Sequence, residues 1–244
     1  AKLKSSISRL VCILFFFFLK LVPTLHMASV YALLSEFPSA NAIASSHLTR
    51  LTNLLSENSH GRYGKDTANL IRNAARNSIG SHMPAKSLEL KHTIKLIKEL
   101  TTEINEIETE IKSIMDKINS PILTIPGIGY NTGAMIIAEI GDFNRFDSAD
   151  KILAYAGMSP STYQSGQLEN CHSHTEKRGS RYLRYALYNA TKYVCFWDES
   201  FGVYLGKKRS EGKHYNVALS HATKKLVRLI FAMEKSKQPY QPTV

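Results

Sequence analysis

The sequence predicts a mostly α-helical protein, and three observations carry that expectation. Ile97, Leu100, Ile104, Ile107, Ile111, Ile114 and Ile118 recur at alternating spacings of 3 and 4, the pattern of an apolar helix seam. A glycine hairpin, Ile125-Pro126-Gly127-Ile128-Gly129, stands ahead of an apolar helical run through Ile136, Ile137 and Ile140. The first 80 residues hold no run of alternating, β-branched strand residues. The expected organisation is a helical connector over 1–84, a coiled-coil helix over 85–120, and a compact module with a helix-hairpin-helix over 121–244.

In chain order, the first feature is the apolar run LVCILFFFFL from Leu10 to Leu19, which follows Lys2, Lys4 and Arg9. That layout imitates a signal peptide, and it raises a membrane-associated or secreted protein as a third class of function. Ten apolar residues are too few to span a bilayer, and Lys20 and Pro23 interrupt them. A buried helix is the reading taken, so no membrane partner is expected. The chain opens with Ala1, which suggests a fragment or a processed product. Ser39 then caps a helix after Pro38, with Ile43, Leu48, Leu51 and Leu55 following at helical spacing. Residues 56–64 read as a polar loop, and Asp66 caps a helix bearing Arg72 and Arg76.

The seam from Ile97 to Ile118 runs for about three heptads, with Glu103, Glu106, Glu110 and Lys112 between its apolar members. Burying seven such residues is worth roughly 10–20 kcal/mol gross, at about 1.5–3 kcal/mol each, before conformational entropy is set against it. An antiparallel partner within the chain or a dimer meets that requirement, and a homo-oligomer is expected. Asn119-Ser120-Pro121 ends the helix.

In the hairpin that follows, Gly127 and Gly129 let the backbone approach closely, and Thr132 stands at the start of the next helix. Amide groups at a helix N-terminus suit a phosphate, and a nucleic-acid backbone is the expected ligand. Ser148 or Asp147 caps a short helix ending at Gly157. Pro160 stops it, so Ser165, in the stretch YQSGQ, lies in an extended or looped segment. Local context leaves two readings of Ser165 open: a turn residue beside Gly166, or a nucleophile presented on a turn.

On the residues alone the turn residue is the preferred reading, while the charge would suit a phosphodiester substrate were the serine reactive. The chain carries +11, and residues 171–244 hold 14 Lys and Arg against 5 Asp and Glu. Residues 121–170 hold 2 against 5. Cations therefore collect just beyond Ser165, which suits a polyanionic partner. Lys177, Arg178, Arg181 and Arg184 open a helix interleaved with tyrosines, while Lys207, Lys208 and Arg209 precede an amphipathic final helix carrying Lys224, Lys225 and Arg228. Phosphate contact and base stacking are the expected roles. Cys12, Cys171 and Cys195 form no CxxC pair, which favours a reducing compartment. Cys171-His172-Ser173-His174 is read as a polar loop rather than a metal site.

TIPGIG, AEIGDF, FDSADKILAYAGMSPSTYQSGQ, KRGSRYLR and KKLVRLIFA occur in that order between Thr124 and Ala232. This set resembles the carboxy-terminal part of the insertion-sequence "one-ten" family of transposases, the bridge-RNA-guided recombinases. The resemblance implies that Ser165 attacks a DNA phosphodiester and forms a phosphoserine link. It also implies DNA and a guide RNA as partners, and a cytoplasmic, nucleoid-associated location. The family's second catalytic part is an amino-terminal RuvC-like domain with three Asp and one Glu that bind magnesium. Residues 1–65 contain no aspartate and only Glu36 and Glu57, so no metal or other cofactor is expected in this chain. The alternative is a catalytically inactive, truncated nucleic-acid-binding remnant.

Overall fold

The computed structural model describes residues 1–15, 18–78, 83–160, 164–165, 168–169 and 175–242, with only the backbone given for Leu19, Gln164, Ser165, Leu168 and Glu169. The protein is all-α apart from two two-residue strands among the described residues. It divides into two compact units, residues 1–105 and 106–244.

The first unit contains α1 (Lys2–Leu14), α2 (Phe18–Leu21), α3 (Ala28–Glu36), α4 (Ala40–Ser45), α5 (Leu48–Asn58), α6 (Lys65–Arg76) and the start of α7 (Pro84–Ile118). Ile7, Leu10, Val11 and Leu14 form one buried face of α1. Phe15 and Phe18 are fully buried, with ring centroids 6.0 Å apart. The described part of the apolar run is thus mostly core, with Cys12 and Ile13 exposed, and no helix among the described residues is long and apolar enough to cross a membrane. Ser39 caps α4 by accepting from the Ala42 amide at 3.2 Å. Gly64, not Asp66, is the N-cap of α6. Asp66 lies in the first turn, where its charge still complements the helix dipole. Leu90 and Ile94 from α7 complete this core.

The 35 residues of α7 form one uninterrupted helix, begun by a proline that needs no amide partner there. Ile97 packs on the first core and Ile111 on the second. Leu100, Ile104, Ile107, Ile114 and Ile118 stay 39 to 59% exposed. Most of the burial expected for the seam is therefore not met within the described residues.

The second unit continues through a 3₁₀ turn (Pro121–Thr124), α8 (Tyr130–Ile140), a second 3₁₀ turn (Phe143–Arg145), α9 (Ala149–Tyr155), strands β1 (Gln164–Ser165) and β2 (Leu168–Glu169), α10 (Arg181–Trp197), α11 (Glu199–Ser210) and α12 (Tyr215–Ser236). Central α10 packs against α8, α11 and α12, and α12 also covers α9. Ile122, Ile136, Ile152, Leu183, Leu187, Leu226 and Ile230 fill the core between them. Two polar clasps close this unit. Buried Glu234 accepts from Ser120 and from Lys237, and Asp198 caps α11 while accepting from the Tyr240 hydroxyl.

Candidate nucleic-acid interface

Ser165 lies on β1, which pairs antiparallel with β2 so that Ser165 stands opposite Leu168. The side chain of Ser165 is outside the described residues, as are Cys171, His172 and His174. The stem below this hairpin is held by backbone contacts. Pro160 bridges Thr175, the Glu176 amide donates to Ser159, the Lys177 amide to Gly157, and the Ser180 amide to Tyr155. Two neighbouring strands of chain therefore rise from the gap between α9 and α10.

Glycine makes that stem buildable. Gly157 ends α9 at φ +65°, with the Met158 amide donating back to the Leu153 carbonyl, a left-handed helix terminus. Gly179, at φ +144°, sits so close to Tyr155 that an added Cβ would lie 2.3 Å from its carbonyl oxygen. Ser180 caps α10 by accepting from the Leu183 amide and donates its own proton to Glu139.

Arg184 belongs to the stem more than to the surface. Its Nη1 donates to the Ala156 carbonyl at 2.7 Å and to the Lys177 carbonyl at 3.4 Å. Arg181 is exposed and stacks on Tyr182 with its guanidinium 4.7 Å from the ring centroid. Lys177 and Arg178 are exposed on the strand leading into α10.

At the root of the hairpin is a cavity of about 390 Å³, lined by Met158, Pro160, Thr175, Tyr188, Asn216, Val217, Ser220, His221 and Lys224. Burial, and then the positive charges of Lys208, Lys213 and Lys224, hold the His221 imidazole below its ordinary value. At neutral pH it is a neutral ring in a cationic surround. Glu211, between Lys208 and Lys213 at 2.8 Å from each, is pulled down to about 2 by their hydrogen bonds. Lys207 and Arg209 extend this basic rim from the last turn of α11. Lys225 points elsewhere, over the Phe201 and Tyr204 rings at 4.6 and 5.3 Å, and Arg228 pairs with Asp150 at 3.4 Å. Sequence reading missed Asn216, Ser220 and His221, although their helical spacing relative to Lys224 puts all four on one face of α12.

The glycine turn has a different surround. An added Cβ on Gly127, at φ +91°, would meet the Tyr193 carbonyl carbon at 2.6 Å, so this glycine seats the turn on α10. Gly129 opens onto space as the N-cap of α8. Thr132 lies on the first turn of α8, beside Asn131, which donates to Glu108 at 2.8 Å, and Tyr130, which donates to Asp116 at 2.7 Å. Two carboxylates from α7 thus flank the start of α8.

Residues 119–205, which run from the end of α7 into α11, match the family model described as Transposase IS116/IS110/IS902 family. The chain is 26% identical over 156 residues to the insertion element IS110 uncharacterized 43.6 kDa protein of Streptomyces coelicolor, covering 60% of this chain and 38% of that protein. It is 26% identical over 164 residues to the pilin gene-inverting protein of Moraxella bovis, covering 67% and 48%. Over 87 residues it is 33% identical to the transposase for insertion sequence element IS1328 of Yersinia enterocolitica, covering 35% and 26%. The chain thus spans less than half the length of each of these three relatives.

Proposed function

We propose that this chain is the serine-bearing, nucleic-acid-binding portion of an RNA-guided DNA transposase. The observation that best supports it is the transposase-family match over 119–205, which contains the Ser165 hairpin together with α8, α9 and α10, the helices around its stem. A relative named for inverting a pilin gene also points towards recombination between DNA sites.

In this reading the Ser165 hydroxyl attacks a backbone phosphorus. A phosphoserine ester forms as the bond from phosphorus to a deoxyribose oxygen breaks. The serine proton passes to a base, and the departing oxygen takes up a proton. One ester replaces another, so the link can later be attacked by a sugar hydroxyl to join strands. A serine hydroxyl is a weak nucleophile and needs activation. A magnesium-binding carboxylate domain is assigned that role. Among the described residues no three His, Cys, Asp or Glu side chains are grouped so as to hold a metal ion.

Lys177, Arg178, Arg181, Lys207 and Arg209, all exposed, are assigned to DNA or guide-RNA phosphates, with Lys224 beside the hairpin root, while Lys208 is already held by Glu211. Lys225, Arg228, Arg184 and the Gly127-Gly129-Thr132 turn play a smaller part, because each already has partners within the fold or acids nearby. Binding should weaken linearly in log affinity against log salt, and Lys224→Ala should lower that slope by about 1. Affinity insensitive to salt would count against the whole reading. The exposed Ile107, Ile114 and Ile118 at heptad spacing are assigned to a second copy of the chain. Sedimentation of an Ile107→Asp, Ile114→Asp variant checks this, and unchanged association would rule it out.

A further inference from the structure

Beyond the hairpin and its basic rim, one face of α10 carries aromatic side chains that the core does not use. Tyr182, Tyr185, Tyr193, Phe196 and Trp197 are 55 to 77% exposed. Tyr182, Tyr185, Asn189, Tyr193 and Phe196 follow one another at spacings of 3, 4, 4 and 3, so they share a single stripe about 21 Å long. A patch of this kind on a protein surface marks a contact. Beside it, α8 and α10 enclose a cleft of about 260 Å³ lined by Asn131, Thr132, Met135, Tyr185, Asn189 and Tyr193. The cleft thus joins aromatic faces to side-chain amide and hydroxyl groups.

The charge of the stripe selects its occupant. No Asp or Glu occurs between Arg181 and Trp197, whereas Arg181 and Lys192 flank the aromatics and are exposed. Arg181 already stacks on Tyr182. On α10 itself the exposed charged neighbours of these aromatics are cations, and Asn189 adds a side-chain amide between Tyr185 and Tyr193. Bases with their phosphates present the complementary surface: flat π faces, hydrogen-bonding edges and negative charge.

We infer that this face of α10 is a stacking platform for unpaired nucleotides, in DNA or RNA. The inference rests on the nucleic-acid-binding reading above but concerns a separate surface. Bases stack on Tyr185, Tyr193 and Trp197, and Asn189 meets their edges.

Trp197 is the only tryptophan in the chain, so its fluorescence reports on the platform directly. The experiment titrates the protein with oligothymidylate, oligouridylate and a DNA duplex of equal length. The single strands are expected to quench Trp197 and the duplex to leave it nearly unchanged. Tyr185→Leu and Tyr193→Leu keep the face apolar but remove the rings. Each should weaken single-strand binding roughly 5- to 100-fold with the salt slope unchanged, because stacking releases no counterions. Tyr185→Phe and Tyr193→Phe should retain binding. Unquenched Trp197 with normal duplex binding, or Leu variants that bind single strands as wild type does, would overturn the platform alone. Aromatic variants that dissociate an oligomer while binding single strands normally would assign the face to a protein contact and overturn it too. Loss of salt-dependent binding to every nucleic acid would instead contradict the nucleic-acid reading on which it rests.

Discussion

Arg184 reaches from the first turn of α10 to the carbonyl oxygen of Ala156, with its Nη1 2.7 Å away. The same nitrogen lies 3.4 Å from the Lys177 carbonyl, across the stem of the Ser165 hairpin. A charged guanidinium therefore pins the end of α9 and the strand entering α10 to one another.

Removing that pin should cost stability first and binding second. Arg184→Ala is expected to destabilise the chain by about 1.5–3 kcal/mol, the scale of a charge-assisted hydrogen bond and the carbonyls it leaves behind. Thermal or denaturant unfolding checks it. An unchanged midpoint together with weakened DNA binding would return Arg184 to the role of a phosphate contact.

The two glycines of the TIPGIG turn should behave oppositely. Gly127→Ala places a methyl against the Tyr193 and Val194 backbone at φ +91°, a strained position for an L-residue. It should cost on the order of 1–3 kcal/mol or more. Gly129→Ala meets open space at φ −90° and should change stability by less than about 0.5 kcal/mol. Equal effects of the two substitutions in a denaturant titration would contradict this assignment.

Stability should fall in acid, and the sign follows from two groups. Burial pushes the Asp198 carboxyl up, but hydrogen bonds from Tyr240, Ser200 and the Phe201 amide pull it down further, leaving it below its ordinary value. Its stabilising contribution is present at neutral pH and is lost as pH drops through the carboxylate range. His221 is also held low, so the unfolded chain takes up that proton first as pH falls below about 6.5. Both linkages make the unfolded state the better proton binder. Asp198→Asn should lower stability at pH 7 and flatten the decline towards pH 4, as read by denaturant midpoints at the two pH values. A variant with the full wild-type decline would show that Asp198 does not carry it.

Much of this architecture was legible because it is set locally. The spacing from Ile97 to Ile118 announced α7, Ser39 announced the cap of α4, and Gly157 announced the end of α9. What the spacing could not say is which apolar faces meet partners. Met115, one residue beyond the seam member Ile114, is the side chain buried in the core, and Ile114 is exposed. The site was harder because its contacts are distant in sequence. Gly127 needs Tyr193, Arg184 needs Ala156, and His221 needs Thr175 and Pro160. A basic residue read in isolation suggests phosphate, and only the folded chain reveals that Arg184 has carbonyl partners.

The most direct test is to trap the covalent product and locate it. Wild-type chain and Ser165→Ala are incubated with donor DNA, guide RNA, magnesium and a carboxylate-bearing domain from a relative, then digested and analysed by mass spectrometry. The account predicts a nucleotide attached to the peptide containing Ser165 in the wild type and no such adduct in the variant. A wild type without adduct, an adduct on another residue, or equal adduct in both proteins would contradict the claim that Ser165 is the nucleophile.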